Sequence, residues 1–312
     1  MDKNHLLGMS LALTTALLWA VVTYWYRAAG VVISPLRLNL YKGLIASSVL
    51  AMLYGFSGNL LPSYPVAVYA LLLVGGIVGI GIGDTAFFAA LNRLGERHTI
   101  LLAETTAPLF TIVLSSMFAG ERLPRTALLG TLLVLAGIAA VVSDPKRREL
   151  NELLCPRGVA MALVAAVCQG IGMVASNLAF QQANVSPTWS AMVRIVGSTL
   201  FLLPVVWLMP TARGMAPRWT PRLVRLVISA AMVGTLGGLS LQQAAVKYTF
   251  AGVAQTLIAA STLFVLAIAV VLGLRPSPRV WAGTALAVAG IACLFWFDPA
   301  ATAPSIQPTS LP

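Results

Sequence analysis

Apolar runs of about twenty residues alternate with short polar links along most of this chain. The stretch from Ala103 to Val142 sets the pattern, with two apolar segments joined by Gly120-Glu121-Arg122-Leu123-Pro124. Each segment is long enough to cross a bilayer as a helix, which takes about 20 residues. So short a link forces the two to lie side by side and antiparallel. The same reading along the chain gives ten segments, at 6–26, 35–56, 65–91, 99–119, 124–142, 158–181, 187–209, 223–246, 251–274 and 278–297. They are continuous apolar runs, twice the length of a barrel strand of about 10 alternating residues. The predicted fold is therefore all-α, a polytopic membrane protein with ten transmembrane helices. Pro35, Pro124, Pro187 and Pro278 open four of them, at the position where a missing N–H costs nothing.

The ten segments divide five and five. Ala260-Ser261-Thr262-Leu263-Phe264 follows the pattern of Thr106-Ala107-Pro108-Leu109-Phe110, and Gly130 and Gly137 match Gly283 and Gly290. Ala90-Leu91-Asn92-Arg93-Leu94 resembles Ala244-Ala245-Val246-Lys247-Tyr248. Gly8 and Gly158 open the first and sixth segments, and Ser34-Pro35 and Ser186-Pro187 open the second and seventh. An odd number of helices per copy sends the second copy into the membrane upside down, so the expectation is two inverted five-helix repeats around a shared site. The expected units are a first repeat over 1–144, a polar linker over 145–157, a second repeat over 158–298 and a disordered tail over 299–312, rich in Pro, Ser and Thr.

Composition agrees. The chain of 312 residues is 59% hydrophobic and only 9% charged, against roughly a quarter charged in a soluble domain. Its mean hydropathy is +0.89. Apolar segments continue to the C-terminal end, so the first is not expected to be a cleaved signal peptide. The net charge of +11 sits mostly in the links, where lipid headgroups and the insertion machinery read it, and nucleic acid is not an expected partner. By the positive-inside rule the links carrying Arg93, the run Lys146-Arg147-Arg148 and Arg222 are cytoplasmic, which puts both termini outside. Cys155, Cys168 and Cys293 lack metal-ligand spacing and read as packing residues. No metal or cofactor is expected.

Charges inside apolar segments cost about 2.5–3.5 kcal/mol each on insertion scales, so they face a cavity or a partner. Four qualify: Lys42, Asp84, Glu104 and Arg194. Asp84 and Glu104 fall on consecutive antiparallel segments, at similar depth. Either is a candidate for proton coupling, and either is also read as one side of a salt bridge with Lys42 or Arg194, the reading favoured for Glu104. Lys42 and Arg194 are candidates for a substrate carboxylate or phosphate, Arg in bidentate fashion, or for a structural pairing. The remaining expected substrate contacts are Trp19, Thr23, Phe87, Phe88, Gln169, Asn177, Gln242 and Gln255, because amides and polar aromatics at mid-membrane face a partner or a pocket. Trp19, Thr23 and Tyr26 share one side of the first segment, and Gln169, Met173 and Asn177 occupy the matching segment at comparable spacing. Trp189, Trp219 and Trp296 read as interface anchors. The glycines Gly75, Gly76, Gly79, Gly81 and Gly83, with Gly234, Gly237 and Gly238 at the matching place, read as close-packing surfaces that also let the helix bend.

The ordered set Ala107-Pro108-Leu109-Phe110, Gly120-Glu121-Arg122-Leu123, Gly130 and Gly137-Ile138 resembles the EamA-type members of the drug/metabolite transporter superfamily. Lys42 and Arg194 stand where that family tends to place a basic residue early in the second helix of each copy. The resemblance covers residues 8–297. It departs at Leu274-Arg275, where the family commonly shows Gly-Glu, and at Thr262, opposite Pro108. It implies a secondary carrier in the inner or plasma membrane that exports small metabolites, amino acids or toxic compounds. It also implies cytoplasmic termini, against the charge count, and the orientation stays open, as does the choice between monomer and homodimer. An exchanger of anions or phosphorylated metabolites is the alternative within transport. An intramembrane aspartyl protease is the alternative outside it. Gly81-Ile82-Gly83-Asp84 fits the latter's pattern, but no second aspartate lies within a segment.

Overall fold

The structure is a computed structural model, and it describes residues 3–58, 60–143, 155–208, 219–271, 273 and 275–296. Ten helices are long and apolar enough to cross a membrane: α1 Lys3–Gly30, α2 Pro35–Phe56, α3 Val66–Gly95, α4 His98–Phe118, α5 Arg125–Val142, α6 Pro156–Gln182, α7 Pro187–Leu208, α8 Pro221–Tyr248, α9 Ala251–Val271 and α10 Pro278–Trp296. The described residues contain no strand. The protein is a multi-pass, all-α membrane protein. The helix ends follow local chemistry. Gly95, at φ 73°, separates α3 from α4, and Gly120, at φ 67°, closes α4 before the turn into α5, conformations a side chain disfavours. The Thr220 hydroxyl accepts from the Leu223 N–H at 3.2 Å and caps α8. The expected linker falls mostly outside the described residues; its last two residues, Pro156 and Arg157, already belong to α6. The expected tail also lies outside the described residues.

Large apolar side chains such as Met52, Met117, Leu132 and Val288 remain exposed, the expected lipid-facing surface. The interior sets large side chains such as Met9, Leu72, Met173 and Leu257 among small residues, Ala12, Ala16 and Ala20 on α1 and Ala162, Ala165 and Ala166 on α6. Lipid gives helices no hydrophobic reason to associate, so close backbone approach has to supply the attraction.

The glycines show how the halves meet. A Cβ on Gly130 would lie 3.0 Å from the Gly290 carbonyl oxygen, and one on Gly290 would lie 2.7 Å from that of Gly130. Gly137 and Gly283 stand in the same reciprocal relation, at 2.5 and 2.9 Å. α5 and α10 therefore run antiparallel with the same surface on each, a self-complementary contact. At the other end of each half, Gly8 of α1 abuts the backbone of Tyr248 and Thr249, and Gly158 of α6 abuts Leu94 and Arg93.

Two segments depart from α geometry. Ile77–Asp84 in α3 and Ala231–Gly238 in α8 are π-helical, at the same offset that relates Ala90–Leu94 to Ala244–Tyr248. A π segment disturbs the backbone ladder and tends to mark a functional site. Side chains from the first two helices answer carbonyls in these segments or just before them. Asn39 donates to Ile80 at 2.8 Å and to Gly81 at 3.3 Å. Trp19 donates to Gly234 at 3.3 Å, and Tyr26 to Ala230 at 3.0 Å.

Trp189 corrects an expectation. It is 1% exposed, lies between Tyr64 and Tyr69, and donates its indole N–H to the Leu60 carbonyl at 3.1 Å. Helix-end position suggested an anchor, but the 60–65 link folds over it. Trp219 and Trp296 are exposed as expected.

Candidate functional site

The two π segments border a cavity of ≈ 130 Å³ between the halves. α1 contributes Trp19, Val22, Thr23 and Tyr26; α3 contributes Gly79, Ile80, Asp84, Phe87 and Phe88. Glu104 enters from α4, Gln169 from α6, Thr235 and Gln242 from α8, and Ser261 from α9. α2 and α7 add Lys42 and Arg194. All four charges expected inside the segments thus reach one cavity.

Lys42 and Asp84 form a direct ion pair, with side-chain exposures of 6% and 26%. The Lys42 ammonium also sits over the Phe88 and Tyr26 rings, at 5.1 and 5.5 Å from their centroids. Tyr26 is held by its hydroxyl, 2.8 Å from that of Thr235. The pair therefore has aromatic walls that limit water around it and strengthen the attraction.

Arg194 and Glu104 are different. Arg194 is 3% exposed, and its Nε and Nη1 have no hydrogen-bond partner among the described residues. Its Nη2 reaches only the Gly75 carbonyl, at 3.5 Å. The guanidinium passes from α7 through a slot made by glycines. A Cβ on Gly79 would lie 3.1 Å from Nη2, and one on Gly172 only 2.8 Å. The glycines of α3 are thus required by an arginine as well as by helix packing. Glu104 is 8% exposed, and its Oε2 likewise has no partner among the described residues. Gln242 Oε1 is a fourth such atom.

Two expected contacts lie elsewhere. Gln255 is fully buried behind the cavity wall, where it donates to Gln169 Oε1 at 2.9 Å. Asn177 stands eight residues beyond Gln169, about 12 Å along the helix, and donates to Glu121. Equal spacing along α6 could not reveal that the cavity ends between them. Thr235 and Ser261 were missed; each is a single small hydroxyl in an apolar run, a weak signal. The two basic residues, Lys42 and Arg194, bring α2 and α7 to the cavity as well.

Glu121 was also missed as a working residue. Its carboxylate accepts the Ala251 N–H at 3.0 and 3.1 Å, at the N-terminus of α9, where an anion is favoured. Asn177 donates to it as well, and Gln181 donates to Asn177 at 2.8 Å and to the Ala119 carbonyl at 3.2 Å. This carboxylate, in the link between α4 and α5, bridges the halves on the face that carries residue 3. Burial raises its pKa above the ordinary 4.5, against the lowering effect of its hydrogen bonds.

A family model described as the EamA-like transporter family matches residues 6–143 and again 156–296. The chain belongs to the EamA-like transporter family. Among its relatives, an uncharacterized transporter of Helicobacter pylori is 26% identical over 46% of the chain and 48% of its own length. One of Archaeoglobus fulgidus is 25% identical over 47% and 52%. The chain thus spans about half the length of these curated relatives. A probable terminal-alkyne amino-acid exporter of Streptantibioticus cattleyicolor is 25% identical over 76% of the chain and 83% of its own length. A protein crystal structure superposes with a TM-score of 0.73 at 20% identity, over 92% of this chain and 95% of that one; at that identity it speaks to the fold alone.

Proposed function

We propose that this EamA-like protein is a secondary carrier that exports a small molecule across the plasma membrane by alternating access between two inverted halves. The observation that carries the reading is the cavity at the interface of the halves, lined by two acids and two bases. The reciprocal Gly130–Gly290 and Gly137–Gly283 contacts, the paired π segments and the twofold family match support the inversion. The relative named as an amino-acid exporter supports a small organic substrate and the outward direction.

Transport is coupled to protons through Asp84. A proton on the Asp84 carboxylate neutralises one side of its pair with Lys42 and frees α2 from α3. Loss of the proton restores the attraction. Glu104 is a second acceptor at the same cavity. The test is transport in proteoliposomes with and without a pH gradient: wild type responds to the gradient, and Asp84→Asn loses the response. Normal gradient-driven transport by Asp84→Asn defeats the coupling assignment.

Exchange of phosphorylated anions is the weaker reading, because Lys42 is already occupied by Asp84. The protease reading has no support here. Asp84 pairs with a lysine, and Asp2, Asp144 and Asp298 lie outside the described residues.

A further inference from the structure

One side chain of α1 meets both halves of the cavity wall. Tyr26 has a single hydroxyl proton, which goes to the Ala230 carbonyl at 3.0 Å. Its oxygen is left to accept from the Thr235 hydroxyl at 2.8 Å. Ala230 immediately precedes the π segment of α8, and Thr235 lies within it. The two are five residues apart, the hydrogen-bonding interval of a π turn. In an α-helix five residues turn through about 500°, which would set them about 140° apart around the axis. One oxygen therefore holds both groups while the segment keeps its wide turn.

The Tyr26 ring faces the other segment. Lys42 Nζ lies 5.5 Å from its centroid. The Phe88 ring, 5.7 Å from that of Tyr26, borders the same ammonium at 5.1 Å. That ammonium pairs with Asp84, the last residue of the π segment of α3. Asn39, three residues before Lys42 on α2, donates to the Ile80 and Gly81 carbonyls of the same segment. So α2 grips the first π segment and α1 the second. Trp19 reaches the second segment at the Gly234 carbonyl, and Phe88 borders the charge; Tyr26 does both.

We infer that Tyr26 is the positioning residue that ties the turn of α8 to the charge state of the Lys42–Asp84 pair. The inference rests on Asp84 being the coupling acid, and it names the route by which its state reaches the second half. With Asp84 ionised, the pair holds Lys42 over the ring, and the ring quadrupole holds the ammonium in turn. A proton on Asp84 removes the anion that fixes Lys42. The ring then loses its cation, the hydroxyl loses its fixed place, and the π turn of α8 is free to close into α geometry. Glu104 on α4 and Arg194 on α7 line the same cavity, and Cys168 of α6 abuts Gly83, the neighbour of Asp84 in the chain. Among the described residues, α8 and α9 line it with no acid or base. The charge on Asp84 therefore reaches α8 through an uncharged contact, and the Tyr26 hydroxyl is that contact.

The test is a double-mutant cycle on conformation, with no substrate added. The full chain, with its three cysteines replaced, carries spin labels at the exposed Val31 and Val271 and is studied in proteoliposomes in alkaline buffer. Asp84→Asn stands in for the protonated acid, and the readout is the ratio of the two distance populations. With Tyr26 present, Asp84→Asn shifts that ratio about tenfold; with Tyr26→Phe, which keeps the ring and loses the hydroxyl, the shift falls to about twofold or less. Thr235→Val removes the other hydroxyl at similar size, gives the same loss, and decides the matter if Tyr26→Phe fails to fold. A merely structural tyrosine would lower the thermal midpoint and leave the size of the shift unchanged. A shift undiminished in either variant overturns the relay while leaving Asp84 as the coupling acid. No shift on Asp84→Asn in the parent chain overturns the coupling reading and the relay with it.

Discussion

Replacing Glu121 with alanine removes a carboxylate that joins the link after α4 to the start of α9 and the end of α6. Ala251 is fully buried and Asn177 is 6% exposed, so water does not readily replace the lost acceptor. Each stranded donor costs about 1–3 kcal/mol, and the lost anion at a helix N-terminus adds about 0.3–1 kcal/mol. The sum is about 2–7 kcal/mol against the sealed face. If only this conformation makes the contact, a loss of about 2.8 kcal/mol already shifts the equilibrium about a hundredfold. The assay is maleimide labelling of a cysteine at Val185, which is fully buried in the α6–α7 link of that face, in a chain with Cys155, Cys168 and Cys293 replaced. Glu121→Ala labels about a hundredfold faster than its parent, and Glu121→Gln, which keeps one acceptor, falls between. The raised pKa of Glu121 means the sealed state holds the proton more tightly than a state that exposes the carboxylate to water. The seal is then firmest in acid and weakens as pH rises from about 4.5 through the raised value, with no further change above it. Glu121→Gln removes that slope. Equal labelling of parent and Glu121→Ala, or a slope that survives Glu121→Gln, refutes the reasoning.

Other outcomes follow from the same contacts. Gly137→Ala puts a methyl 2.5 Å from the Ala287 nitrogen and the Gly283 oxygen and destabilises by about 1–3 kcal/mol; Gly55→Ala, with open space around it, leaves the thermal midpoint in detergent unchanged. Asn39→Ala removes the side-chain donor to the Ile80 carbonyl, while Gly81 keeps the Thr85 hydroxyl at 2.6 Å, and lowers stability by about 1–3 kcal/mol, measured by the same thermal scan. Lys42→Ala leaves Asp84 as an unpaired acid, and adding Asp84→Asn to it recovers thermal stability but not the response of transport to a pH gradient.

The sequence was most informative where the solvent imposes periodicity. Helix bounds agree closely because a bilayer requires long apolar runs, and prolines such as Pro35 and Pro187 mark where those runs start. The four intramembrane charges identified the cavity because a buried charge must face something. Pairing was not legible. Nothing in the spacing of Lys42, Asp84, Glu104 and Arg194 says which two meet, since that depends on where Gly79 and Gly172 leave room for a guanidinium. Asn177 was misread because helical spacing gives a side but no depth limit. Glu121 was recognised as part of a motif and not as a contact, because its partners are a backbone N–H on α9 and an amide on α6, distant in sequence. The π segments were hidden as well: glycine-rich runs fit ordinary helix packing, and the departure is visible only in the backbone.

The most direct test of alternating access is a pair of distances measured by spin labelling in proteoliposomes. One pair joins Phe118 to Gln182, across the halves on the face held by Glu121; the other joins Val31 to Val271, on the opposite face. When pH and substrate are varied, one distance lengthens as the other shortens. Two distances that move together, or that stay fixed while transport proceeds, would contradict a pocket shared between rocking halves.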